Sequence, residues 1–238
     1  MAKEIENTMV DNNVYLFTDI NQQTTNDLIA KLSQWVDKLS FAVKKAPEHP
    51  KEKDITDDTV YTIGESYKIY TPYEPIPANT PVLNVYINSC GGSVAQTQPI
   101  LTMFHIASAR GAIIKTYNLF RANSSASMIA ISGTHGYRYM AQDAYNMVHF
   151  GNISADANHT DEIEFATKHL KTFDARSRNI YLNNTSLTAK EISRYYNTEG
   201  AGKLSSEQCL AKELCDWIIT NDGRFVNNVA ELRDQKTR

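Results

Sequence analysis

A pair of glycines, a serine and a histidine are the residues whose types and spacing in this chain can do covalent chemistry. Gly91-Gly92 directly follows the apolar run Val82 to Ile87 and precedes a helical pattern. Glycines there let the backbone turn sharply and present bare N–H groups, which can hold a phosphate, a carboxylate or an oxyanion. No Gly-Lys-Ser/Thr follows, and the three-glycine dinucleotide pattern is absent. A plain strand-to-helix turn reads equally well. Ser124-Ser125-Ala126-Ser127-Met128 opens a second helical stretch. A serine at a helix start meets the positive dipole end and unpaired N–H groups, which help when an alkoxide or tetrahedral oxyanion forms. The segment does not match the Gly-x-Ser-x-Gly elbow, and serines also cap helices routinely. His149 lies on an apolar strand, 22 residues after Ser127. A nucleophilic serine needs a base within hydrogen-bond reach, and histidine is the usual one.

The other histidines offer less. His49 sits in a charged stretch, and His159 and His169 lie near or on a long polar helix, so all three read as solvated. His105 is on a helix, core or surface, and His135 is in the turn Gly133 to Gly136. No His-x3-His or Cys-x2-Cys spacing supports a metal site, and no cofactor is expected. Three cysteines, Cys90, Cys209 and Cys215, do not make a disulfide framework and suit a reducing, cytoplasmic compartment. The formal net charge of −3 on 238 residues gives no bulk attraction for nucleic acid or anionic membrane. No apolar run approaches the roughly 18 residues of a spanning helix, and the first residues lack the apolar core of a secretion signal.

The elements that must hold these residues follow from periodicity. Val14 to Phe17 reads as a short buried strand, and Leu28, Leu32, Val36 and Leu39 mark a helix opening near Thr24 or Thr25. Six of the seven prolines fall between Pro47 and Pro81, around a charged run and a hairpin pattern from Val60 to Tyr70. That stretch reads as an insertion, near residues 43–80. Beyond it come a strand from Val82 to Ile87, a helix from Pro99 to Ala109 and a strand from Ala112 to Tyr117. A buried helix from Ser125 to Ser132 and a strand from Tyr145 to Phe150 follow. From Asp161 a helix of about 20 residues, roughly 30 Å, is longer than one core needs and is expected to project and pair with another subunit. Strand alternating with crossover helix is the grammar of an α/β protein with mainly parallel strands. The chain reads as one domain, with a core over about 13–220 and a C-terminal extension over about 221–238.

Taken together, these pieces resemble the proteolytic subunits of the Clp proteases, a serine peptidase family with the crotonase-like fold. Tyr86-Ile-Asn-Ser-Cys-Gly-Gly-Ser-Val94 is similar to that family's Tyr-Ile-Asn-Ser-Pro-Gly-Gly-Ser-Val, and Ala126-Ser127-Met128 to its nucleophile segment. Asn146 to His149 resembles the strand that delivers the base. Asp161 to Tyr195 resembles the long handle helix and the short helix after it, and Leu204 to Leu214 the closing segment. Carried over position by position, the resemblance implies Ser127 as nucleophile and His149 as general base. It implies the N–H groups of Gly92 and Met128 as the oxyanion hole. Extended peptide would pair with backbone along Gly91, Ser93 and Val94. The resemblance further implies a peptide or unfolded-protein substrate and a homo-oligomer of stacked heptameric rings.

The departures concentrate at the site. Cys90 replaces the usual proline, Asn123 a glycine, Ile129 a small residue, and Phe150-Gly151 a Gln-Pro pair. The third triad position falls on Asn197 rather than aspartate, with Glu199 two residues on. Only about a dozen residues precede the first strand, which argues against docking to a standard Clp-type unfolding ATPase. Such divergence suits a copy carried by a bacteriophage or plasmid. Two alternatives stand beside the peptidase: a catalytically weak or inactive ring or scaffold subunit, and a crotonase-like acyl-thioester enzyme.

Overall fold

The structure is a computed structural model that describes residues 7–39, 76–149, 160–197 and 202–235. In chain order the elements are β1 (Thr8–Val10), β2 (Asn13–Leu16), α1 (Gln22–Lys38), β3 (Val82–Ser89) and α2 (Val94–Ala109). Next come β4 (Ile113–Asn123), α3 (Ser125–Ile131), β5 (Arg138–Ala141), β6 (Tyr145–Met147), α4 (Thr160–Asn184) and α5 (Ala189–Asn197). The last are β7 (Lys203–Ser205), α6 (Ser206–Ala211), β8 (Trp217–Ile219), β9 (Phe225–Val226) and α7 (Val229–Gln235). The result is a mixed α/β architecture around one sheet in the order β1-β2-β3-β4-β5-β8-β9, with β6 branching off β4 and pairing with β7. The strands from β2 to β8 along this path are mutually parallel, as are β4 and β6. The pairs β1–β2, β6–β7 and β8–β9 are antiparallel.

The central strand β3 alternates strictly. Leu83, Val85 and Ile87 are buried, whereas Asn84 and Tyr86 are half-buried on the other face. The inward set meets Leu28, Leu32 and Val36 of α1 and Ile100, Leu101 and Phe104 of α2 in the main core. On the other face the register aligns Tyr15, Tyr86, Tyr117 and Tyr139 on four adjacent strands. Their rings stack with centroids 5.5, 4.9 and 4.9 Å apart. Cross-strand aromatic pairs of this kind pin register, because a one-residue slip would send every ring into the core.

The feature that builds the site is a fork in β4. Its first half pairs with β5 through Thr116, Tyr117 and Asn118, its last residues with β6 through Arg121, Ala122 and Asn123. Against β3 the register jumps between Ile87 and Ser89, so Asn118 and Ala122 face neighbouring partners there. Leu119 and Phe120 bow out at the fork and are exposed. Branching lets a single strand carry both the end of the main sheet and the short β6–β7 hairpin-like layer.

Several expected boundaries move. Helix α1 starts at Gln22 because Asn21 and Thr24 form a reciprocal capping box. Helix α2 starts at Val94, not Pro99, since Ser93 caps Gln96 N–H; the proline falls inside the helix, in its second turn. Strand β4 runs six residues past Tyr117, and β6 stops at Met147, although Val148 N–H still donates to Gly202 C=O at 2.9 Å. Helix α4 has 25 residues, about 37 Å at 1.5 Å per residue. Among its described side chains none is buried before Ser177, and Ile163 is exposed. The hairpin from Val60 to Tyr70 and most of the expected insertion lie outside the described residues. No helix among the described residues is long and apolar enough to cross a membrane.

Candidate active site

The glycine pair is built in by steric necessity. Gly91 has φ +93° and Gly92 φ +144°. A Cβ on Gly92 would sit 2.2 Å from Ile20 C=O, and one on Gly91 would sit 2.4 Å from Asn123 C=O and 2.7 Å from Ser124 Cβ. No side chain fits in either place, so the loop can lie between the chain after β2 and the start of α3 only as glycine. Ile20 N–H donates to Gly91 C=O at 2.7 Å, and Ser93 N–H donates to Ile20 C=O at 2.6 Å. Ser89 Oγ accepts from Gly91 N–H at 3.1 Å and donates to Thr18 C=O at 2.6 Å. Gly92 N–H has no hydrogen-bond acceptor among the described residues.

The serine segment begins on a strained residue. Ser124 has φ 55° and ψ −125°, a region costly for a residue with a Cβ, by about 1–3 kcal/mol. Its N–H donates to Met147 C=O at 2.9 Å, which ties the turn to β6. The sharp turn then launches α3, whose seven residues are all buried. Ser125 Oγ donates to Gly92 C=O at 3.2 Å, which fixes the glycine loop to the helix start. Ser127 N–H and Met128 N–H both donate to Ser124 C=O, at 3.0 and 3.4 Å. The Met128 bond is at the long end of the range and correspondingly weak.

Ser127 is 0% exposed, and its Oγ lies 2.8 Å from the Tyr181 hydroxyl of α4. No hydrogen bond joins Ser127 to His149 among the described residues. His149 is exposed, two residues past the end of β6. The fork of β4 therefore carries the histidine strand to the side of the serine helix, with the serine hydroxyl turned towards α4. Asn197 is the last residue of α5; Phe150, Gly151 and Glu199 are outside the described residues. Gly202 lies against Val148: a Cβ there would meet Val148 C=O at 1.7 Å, so the residue just before β7 sits beside the histidine strand. Ser93 and Val94, the cap and first residue of α2, are both half-buried beside the loop.

Two groups of residues carry this arrangement without any motif to announce them. Tyr181 is one; the periodicity of α4 marks the neighbouring Ile180 but gives no reason to expect a hydroxyl at the serine. The other is an ion pair. Arg138, 1% exposed, pairs with Asp216 through its Nη2 at 2.6 Å and its Nε at 3.0 Å. Asp216 also accepts from the N–H groups of Gly136 and Arg138 at 2.8 and 2.9 Å. Arg138 Nη1 reaches the C=O of Asn184 at the end of α4, so this pair anchors the helix that bears Tyr181.

Among the described residues no histidine and no cysteine hydrogen-bonds Ser127. His105 is exposed on α2, which settles its alternatives in favour of the surface. His135 is half-buried, and its pKa is lowered first by burial and then by Arg138. Cys90 is exposed beside the glycine loop, while Cys209 and Cys215 are buried free thiols, pushed up by burial. Among the described residues no cluster of three or more His, Cys, Asp or Glu side chains has the arrangement to hold a metal ion.

Residues 77–222 match the family model described as Clp protease. The chain is 30% identical over 146 residues to the ATP-dependent Clp protease proteolytic subunit of Streptococcus pyogenes serotype M5 (strain Manfredo), covering 60% of this chain and 71% of the relative. The proteins of the same description from serotypes M49 (strain NZ131) and M3 (strain SSI-1) match to the same extent.

Proposed function

This chain belongs to the Clp protease family, and on that premise we propose that it is a serine peptidase with Ser127 as nucleophile, His149 as general base and Asn197 as the group that orients the imidazole. His149 takes the hydroxyl proton as Ser127 Oγ bonds to the peptide carbonyl carbon. The N–H groups of Gly92 and Met128 receive the developing oxyanion. Collapse breaks the C–N bond as protonated His149 gives its proton to the leaving amine, and water, activated by the same histidine, hydrolyses the acyl-enzyme. Substrate pairs in extended form with backbone at Gly91, Ser93 and Val94, which gives affinity with little sequence preference. No cofactor enters the reaction.

The observation that carries this reading is the wedged Gly92. Its free N–H stands on a loop that can take no side chain and is tied by Ser125 to the helix start that holds Ser127 and Met128. Gly92 is exposed, so this rigidly held donor stands open to an incoming carbonyl oxygen. The domain, over about 13–220, is read as crotonase-like with α4 as its handle. The long exposed half of that helix supports assembly into stacked heptameric rings in the cytoplasm.

A second reading has its own observation. Ser127 is bonded to Tyr181 rather than His149, and Asn197 supplies no negative charge, both of which suit a weak or inactive ring subunit. Labelling with a fluorophosphonate, comparing the wild type with Ser127→Ala, separates the two. A Ser127-dependent adduct is expected; its absence from assembled protein would establish the inactive subunit instead.

A further inference from the structure

The hydroxyl of Tyr181 lies in an apolar setting. The residue is 2% exposed and shares a core cluster with Met128, Val148, Leu187, Ile192 and Tyr196. Burial raises its phenol well above the ordinary value of 10, so near neutral pH the group is uncharged and cannot serve as a base. A neutral phenol buried among apolar side chains must spend its proton on an acceptor, and the acceptor within reach is Ser127 Oγ at 2.8 Å.

Its mount is rigid. Tyr181 C=O accepts from Thr185 Oγ1 at 2.7 Å and from Thr185 N–H at 3.1 Å. Asn184 Nδ2 closes back on Ile180 C=O at 2.8 Å, and Arg138 holds the Asn184 carbonyl. The bond to Ser127 is therefore held from both ends, by α3 and by an anchored turn of α4. It also sets two demands against each other. A serine oxygen that accepts from Tyr181 has a lone pair committed and its side chain turned towards α4, whereas attack needs that oxygen free and its proton shared with His149.

We propose that Tyr181 is a positioning residue that parks the Ser127 hydroxyl against α4, and that breaking this bond is what frees the nucleophile for His149. The inference rests on the peptidase reading. It makes α4 the element whose displacement sets how often the serine is available.

Tyr181→Phe removes the phenol oxygen and leaves the ring in its cluster. The fluorophosphonate labelling rate is expected to rise about 2- to 10-fold, the range that one neutral hydrogen bond commands. Peptide kcat should rise with it at an unchanged KM, since no substrate contact is altered. General loosening of the core would lower both the rate and the melting temperature, so a rise is not what a merely structural role gives. Labelling equal to or slower than wild type overturns the proposal while leaving the peptidase reading intact. No Ser127-dependent adduct in either protein removes both. A second arm needs no tyrosine variant: with 3-fluorotyrosine placed at position 181, Ser127→Ala must move its fluorine resonance. An unmoved resonance overturns the hydrogen bond itself.

Discussion

Replacing Asp216 by alanine tests the anchor beneath the site. The carboxylate receives four hydrogen bonds, from the N–H groups of Gly136 and Arg138 and from Nε and Nη2 of the Arg138 guanidinium. Arg138 is 1% exposed, so once the partner is gone its guanidinium keeps, among the described residues, the carbonyls of Ile131 and Asn184 as acceptors. Removing one member of a buried pair costs about 3–5 kcal/mol, most of it from the uncompensated charge that is left. The Asp216 side chain is 17% exposed, so water entering the gap favours the lower end, about 3 kcal/mol. For a chain of this size that corresponds to a fall of roughly 6 °C or more in melting temperature. Urea unfolding of wild type, Asp216→Ala and the double variant Arg138→Met/Asp216→Ala is the assay. The double variant should regain at least about 1 kcal/mol over the single one, because the stranded charge is gone. A single-variant cost below about 1 kcal/mol, or a double variant no better than the single, would refute the reasoning that a buried charge dominates here.

Gly92→Ala should cost at least about 2 kcal/mol, since its Cβ would meet Ile20 C=O at 2.2 Å at a φ of +144°; an alanine tolerated within about 0.5 kcal/mol in urea unfolding would contradict the wedge. Asn197→Asp should raise peptide turnover by about tenfold or more if the missing charge limits the rate, because a triad asparagine costs up to about 10⁴ in kcat in serine proteases. An unchanged rate would move the orienting role elsewhere. The Glu191 carboxyl is held down to about 2, first by Lys212 and then by the N–H and hydroxyl of Thr188. A depressed carboxyl stabilises the fold above its ordinary 4.5, and that contribution is lost as pH falls towards 2. Glu191→Gln should therefore flatten the acid limb of a thermal-stability profile between pH 4.5 and 2 and leave the slope above pH 5 unchanged.

The parts of this molecule that were legible in sequence are those with local codes. The strand Val82 to Ile87, the Gly91-Gly92 turn and the helix at Ser125 announce themselves through apolar runs, glycines and a small-residue start, and each lies where expected within a few residues. The start of α2 was hidden because Ser93 belongs at once to the glycine turn and to the helix as its cap, so the more conspicuous Pro99 drew the boundary. The second half of β4 was hidden by composition: the apolar pattern stops at Tyr117, and pairing with β6 carries the strand on through Arg121, Ala122 and Asn123. Tyr181 and the Arg138–Asp216 pair were illegible for a related reason. Each acts through a partner distant in the chain, 54 residues for Tyr181 and Ser127 and 78 for Arg138 and Asp216, which no local window contains.

The departures from the family pattern divide once their places are known. At position 123 a glycine has no conformational task here, because the left-handed φ falls one residue later, on Ser124, and Asn123 continues β4. Ile129, where something small is usual, is 0% exposed and packs into the main core beside Ala126 and Ala130, on the side of α3 away from the cluster that holds Tyr181. Cys90 is exposed and leaves Gly91 N–H its bond to Ser89. These three substitutions thus alter packing around the loop and helix without removing the N–H groups of Gly92 and Met128, the proposed oxyanion donors. On the proposed peptidase reading, what separates an active from an inactive subunit reduces to two proton-handling terms: the bond that Tyr181 makes to Ser127, and the negative charge that Asn197 does not offer to His149. The first is worth a factor of about ten at most and the second up to about 10⁴. Asn197→Asp is for that reason the more decisive of the two substitutions for turnover, and Tyr181→Phe for the availability of the nucleophile.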